Sequence, residues 1–302
     1  MQFIKQFSFS RWLFFGNYFY GICVVALAIE AALQLHVPLN DTAFYLLLFC
    51  ATVFYYTIAY ISESGSAKNE RSLWYKHNNR VVRRHMGLQL LICLLTILYL
   101  IFRHYRQFAG IQLHTLLLLA LFPFLACLYY GISFGSKNRN IRNIAWLKPF
   151  VIALVWTASA NIYPTVYNAL MHGEMYTPHT FGYVLMLKNF MFLTVLAIMF
   201  DIKDYAMDSN SELKTFIVKV GLRKTIYTII IPLCLLGFGT FLSYGFLHHF
   251  SAWWMSMNTI PFILLLLVAF SLRRRRSIFY YLTIIDGLLF IKAVCGMLGA
   301  IA

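Results

Sequence analysis

The stretch Gly182-Tyr-Val-Leu-Met-Leu-Lys188-Asn-Phe-Met-Phe-Leu-Thr-Val-Leu-Ala-Ile-Met-Phe200 runs directly into Asp201-Ile-Lys-Asp204-Tyr-Ala-Met-Asp208. As a helix rising about 1.5 Å per residue, the first part is long enough to cross most of a hydrocarbon core of about 30 Å. The second part is its polar end. The chain holds five aspartates, and three of them fall within these eight residues. If the helix continues, Asp201, Asp204 and Asp208 stand at i, i+3 and i+7 and share one face. Three like charges on one face repel one another, so a positive partner is expected. Hard cations such as Mg²⁺ take clustered carboxylate oxygens. A solvated helix end is the bland alternative, but charge at the edge of an apolar span is costly and aspartate is rare in the rest of the chain.

Outward from this segment the composition is of the same kind. Of 302 residues, 61% are hydrophobic and 12% charged, with mean hydropathy +0.71. That composition describes a polytopic, all-α membrane protein, because only helices and closed barrels satisfy their backbone in lipid. Apolar windows of spanning length fall at 12–35, 43–63, 86–102, 112–133, 148–170, 182–200, 223–247, 253–271 and 278–300. Nine transmembrane helices are expected, the third short enough to borrow flanking residues. Connections are short, so one membrane domain is expected to fill residues 1–302.

Charge supplies the orientation. With the N-terminus cytoplasmic, segments 1–11, 64–85, 134–148, 201–222 and 272–277 face the cytoplasm. With Arg223 and Lys224 counted beside the fourth, they hold 2, 6, 4, 5 and 4 Lys and Arg, which is 21 of 25. The opposite loops hold two, Arg103 and Arg106. That asymmetry follows the positive-inside rule and supports an odd number of spans. The net charge of +15 is then explained by loops lying against anionic lipid. It gives no support to nucleic-acid binding, since no binding motif accompanies it. An inner membrane of a bacterium is the expected location. Cys23, Cys50, Cys93, Cys127, Cys234 and Cys295 all lie in apolar spans without a CxxC pair, and are expected to be small buried hydrophobes rather than disulfides or zinc ligands. Residues 1–11 carry Lys5 and Arg11 but precede an apolar run with no clear cleavage site, so no signal peptide is expected.

Polar residues that could carry chemistry gather in the cytoplasmic loops. The loop 201–222 has the aspartates with Lys203, Glu212, Lys214 and Lys219. The loop 64–85, entered from Glu63, has Glu70 with Lys68, Asn69, Arg71, Lys76 and three more arginines. The loop 134–148 has Lys137, Arg139, Arg142 and Lys148. Carboxylates among cations at one membrane face suit a metal-bound diphosphate, in which Mg²⁺ bridges carboxylate and phosphate oxygens and Lys or Arg neutralise the remainder. Most of these cations, taken singly, serve topology and solvation. Within the spans, Asn17, Asn161, Lys188, Asn189 and Asp286 could line a cavity, with Asn17 on the first span the best candidate. Lys188 and Lys292 could equally pair with helix ends or snorkel.

The run Asp201-Ile-Lys-Asp204-Tyr-Ala-Met-Asp208, continued by Leu213-Lys214-Thr215 and Val220-Gly221, resembles the second Asp-rich motif of UbiA-type intramembrane prenyltransferases. Its place between the sixth and seventh of nine expected helices is similar too. Tyr130 to Trp156, with Arg142, Leu147-Lys148 and Ala153-Leu-Val-Trp156, looks like the family's connection between helices four and five. The tail Tyr280-Tyr-Leu-Thr-Ile-Ile-Asp286-Gly287 looks like divergent members. The resemblance implies a transferase moving a prenyl group from an isoprenoid diphosphate to a hydrophobic acceptor. It implies Mg²⁺ on Asp201, Asp204 and Asp208, Lys148 as a further catalytic residue, and Arg142 and Lys214 binding the diphosphate. Asn17 would line the substrate cavity.

The sequence departs from that family in one place. The family's first motif, roughly NxxxDxxxD, belongs at the end of the second helix, where this chain reads Tyr56-Thr-Ile-Ala-Tyr60-Ile-Ser-Glu63-Ser-Gly-Ser-Ala-Lys-Asn69-Glu70-Arg71 with no aspartate. Glu63 and Glu70 are the carboxylates available to replace it. A relative that keeps the fold and one diphosphate or metal site, yet serves binding or scaffolding, is therefore the alternative. A transporter is the third reading, disfavoured because no pair of Gly/Pro-broken half-helices suggests inverted repeats.

Overall fold

The computed structural model describes residues 9–63, 70–130, 146–202, 217, 220–273 and 280–301, with the backbone alone for Ser62, Glu63 and Tyr130. The described residues are helical and contain no strand. In chain order the helices are α1 Phe9–Phe15, α2 Tyr18–Gln34, α3 Thr42–Glu63, α4 Glu70–His77, α5 Asn79–Arg103, α6 Tyr105–Ala109 and α7 Leu113–Tyr130. They continue as α8 Lys148–Met171, α9 Thr180–Asp201, α10 Leu222–Leu247, α11 Ala252–Ser271 and α12 Tyr281–Ile301. Every expected window meets a helix, but the count of nine is not reached by length and composition. Among the described residues, seven helices are long and apolar enough to cross a membrane, or up to eight if α1 and α2, bent by 64°, form one broken span. The window at 112–133 holds a shorter apolar helix, Leu113–Tyr129. The short third window does borrow flanking residues, since α5 starts at Asn79.

Three spans contain a π-helical turn: Ala158–Ile162 in α8, Thr225–Ile230 in α10 and Tyr281–Ile285 in α12. Pro164 and Pro232 follow the first two. Proline has no N–H to donate and its ring crowds the carbonyl four residues back, so the wider turn absorbs both defects without ending the helix.

The chain divides into two compact units. One comprises residues 1–26 and 39–110, the other 27–38 and 111–302. In the first, α3 packs along α5. The break between α1 and α2 has a local cause. A Cβ on Gly16 would meet the carbonyl oxygen of Trp12 at 2.4 Å, and Asn17 has φ 66°, a left-handed conformation that asparagine tolerates. The carbonyls freed there find partners on α4. Arg71 donates to the carbonyls of Phe14 and Phe15 at 3.3 Å each, and the Tyr75 hydroxyl donates to Phe15 at 2.8 Å. The Arg71 guanidinium also lies 3.6 Å from the centre of the Tyr60 ring. Burial pushes the Tyr75 phenol up to about 12, more than the neighbouring Arg71 lowers it.

In the second unit, α8 packs on α9, α9 on α10, and α11 on α12. Where lipid-embedded helices meet, polar side chains bond across them. Lys292 on α12 donates to Glu30 Oε2 on α2 at 2.7 Å, and Gln34 donates to Glu30 Oε1 at 2.6 Å. Asn258 Oδ1 on α11 accepts from Gln34 and from Lys188 on α9, each at 2.9 Å. The Lys188 ammonium rests 4.2 Å from the centre of the Phe241 ring. Gly296 is required here, because a Cβ would come within 2.5 Å of Glu30. Lys188 and Lys292 therefore neither snorkel nor pair with helix ends; both are buried. The six cysteines are free, as expected, but Cys127 is exposed and Cys295 half-buried.

Candidate functional site

Lys148 opens α8, with Pro149 fixing the first turn, and Asp201 closes α9. Their antiparallel helices bring the two together, Lys148 Nζ donating to Asp201 Oδ1 at 2.5 Å. Each charge stands at the unfavourable helix end. A carboxylate at a C-terminus meets the negative end of the macrodipole, and an ammonium at an N-terminus meets the positive end. Pairing relieves both. Asp201 is 5% exposed as a residue, and its carboxylate is the beginning of the aspartate run. Beyond the ion pair, the positive N-terminal end of α8 favours an anion such as a phosphate oxygen.

Of the other expected site residues, Asp204, Asp208, Arg142 and Lys214 lie outside the described residues, as does the side chain of Glu63. Among the described residues, no group of three His, Cys, Asp or Glu side chains comes together as a metal site. Of the three aspartates expected to hold Mg²⁺, Asp201 is the one among the described residues, and its carboxylate oxygen is the hard donor that such a cation takes. Glu70 opens α4 and pairs with Arg11 at 3.1 Å, both side chains partly exposed. Such a surface pair contributes little to stability. Asn17 sits in the first unit's buried network. Its Nδ2 donates to Thr57 at 3.1 Å and to Tyr75 at 2.9 Å, and its Oδ1 accepts from Arg71 at 2.5 Å.

Two features escaped the sequence. Arg71 was one cation in a basic loop, yet it is buried and binds the α1–α2 break. Glu30 was not singled out, yet it takes the intramembrane Lys292. The signal for Glu30 was present: Glu30 and Gln34 are i, i+4 on an apolar span, so both polar groups share a face.

No model of a known protein family matches the sequence. No curated protein matches it either. A solved structure of a digeranylgeranylglyceryl phosphate synthase in membranes aligns over 100% of this chain and 99% of its own, with TM-score 0.56 and 15% identity. The two share a fold. At that identity the likeness bears on architecture alone.

Proposed function

We propose that this protein transfers a prenyl group from an isoprenoid diphosphate to a hydrophobic acceptor within the membrane. The observation that carries this is the pairing of Lys148 with Asp201, the first aspartate of the run 201–208, in a fold similar to that of a digeranylgeranylglyceryl phosphate synthase. Asp201, Asp204 and Asp208 would hold Mg²⁺, which when bound neutralises diphosphate charge and favours its departure. Lys148, at the N-terminal end of α8, holds a diphosphate oxygen, with Arg142 and Lys214 as further cations. The carbon–oxygen bond of the allylic diphosphate breaks and the diphosphate leaves with the bonding electrons. The acceptor's nucleophilic atom bonds to the same carbon and gives up its proton. Apolar helices exclude water from the allylic carbon meanwhile, and aromatic faces stabilise its positive charge by roughly 0.5–2 kcal/mol each.

A non-catalytic relative is the second reading. It is favoured by the first-motif region, which has Glu63 and Glu70 in place of aspartates, Glu70 being paired with Arg11. Purified protein given radiolabelled prenyl diphosphates and an acceptor panel, with and without Mg²⁺, separates the two. Product formed only with Mg²⁺ supports transfer; binding without turnover supports the second reading. Loss of diphosphate binding in Asp204→Asn should be much larger in Mg²⁺ than in EDTA. Equal loss in both would make the aspartates structural. If turnover exists, Glu63→Gln with Glu70→Gln should lower it, because the leaving diphosphate needs its charge neutralised.

A further inference from the structure

Deeper along the same two helices lies a second polar pair. Asn189 on α9 is twelve residues, about 18 Å, from Asp201, and Asn161 on α8 is thirteen residues, about 20 Å, from Lys148. Asn189 Nδ2 donates to Asn161 Oδ1 at 3.0 Å. Asn161 is 0% and Asn189 1% exposed. Two facing amides can close a ring of two hydrogen bonds, but these make one. Asn161 Nδ2 and Asn189 Oδ1 have no hydrogen-bond partner among the described residues. Rotating both amides by half a turn keeps the single bond and again leaves one donor and one acceptor. Rotating either alone sets two nitrogens or two oxygens against each other. Whichever way the pair is turned, it leaves one amide NH₂ and one amide oxygen without a partner.

Local backbone supports a built feature. Asn161 lies in the π-helical turn Ala158–Ile162, which shifts side-chain register against the rest of α8, and such turns recur at functional sites. Unpaired buried amide groups are costly, and more so where no bulk water reaches.

We infer that the Asn161–Asn189 edge binds a hydroxyl group, which accepts from Asn161 Nδ2 and donates to Asn189 Oδ1 at once. An ether or carbonyl oxygen satisfies only the first of these. An ammonium satisfies only the second. A hydroxyl reaches this depth from two sources, a membrane-soluble alcohol or phenol, or a single ordered water. The site is separate from the Lys148–Asp201 pair and does not depend on prenyl transfer taking place.

The test uses the full chain in lipid nanodiscs, with farnesol and farnesyl methyl ether as probes and a high-resolution map of the parent protein. Binding of farnesol about tenfold tighter than the ether, the size of one lost hydrogen bond, with the difference abolished in Asn189→Leu and in Asn161→Leu, assigns the site to a membrane alcohol. Equal binding of the two probes, with map density within about 2.7–3.2 Å of both amides, assigns it to water. Equal binding with no such density overturns the inference, as does a preference for farnesol that persists in both variants. The map is of the parent protein, so it decides the matter even if the variants fail to fold.

Discussion

Glu30 and Lys292 are worth removing singly and together. Both are buried, and Lys292→Met leaves a carboxylate in the membrane interior that keeps the hydrogen bond from Gln34 but loses its ion-pair partner. That variant should lose about 3 kcal/mol, seen as a lower melting temperature in detergent. Adding Glu30→Gln removes the stranded charge and should restore most of the loss; failure to restore would mean that the ammonium matters through other contacts. Gly296→Ala should destabilise as well, since its methyl group overlaps Glu30. At the candidate site, Lys148→Ala removes the ammonium that pairs with Asp201. Diphosphate binding should weaken more in this variant than in Lys76→Ala, a control cation on α4 whose side chain is exposed. Equal titrations for the two variants would remove Lys148 from the site.

Elements are held by what their ends leave unpaired. The short α4 is fastened to the α1–α2 break because broken helix ends present carbonyls and Arg71 and Tyr75 supply donors. Tyr75→Phe leaves the Phe15 carbonyl and an amide hydrogen of Asn17 without this partner, and should cost about 1–3 kcal/mol. The same residue gives the first unit an alkaline limit. Burial raises the folded-state phenol from its ordinary value of 10.0 to about 12, so the folded protein holds the proton more tightly. Its stabilising contribution is complete below pH 10 and disappears as pH rises through 12. Melting temperature should therefore fall less steeply over that window in Tyr75→Phe than in the parent. Parallel curves would show that the phenol is not held neutral by the fold.

At the scale of the whole molecule, the charge count makes a topological prediction. The loop between α8 and α9 should lie on the non-cytoplasmic face, with the Lys148 and Asp201 ends on the cytoplasmic one. Gly173 is a poor labelling position, because its φ of 70° strains any side chain placed there. Met175, 57% exposed in the same loop, is a better one. Met175→Cys should react with a membrane-impermeant thiol reagent on intact cells. Reaction only after permeabilisation would invert the orientation.

The sequence by itself determined that this is a helical membrane protein and which windows are apolar, though not that the first of them breaks at Gly16 and Asn17. Spanning length and backbone satisfaction in lipid are local properties, written in every window of about twenty residues. It also marked Asp201, because aspartate is rare in this chain, whereas Lys148 was marked only by the resemblance of its segment to a known family. Tertiary structure alone decided the partners. Glu30 and Lys292 are 262 residues apart, and Arg71 meets carbonyls 56 and 57 residues away. A polar group inside an apolar span has to find a partner, but periodicity does not say on which helix. It was likewise packing, through a π turn in α8, that set Asn161 against Asn189 and left one donor and one acceptor open between them.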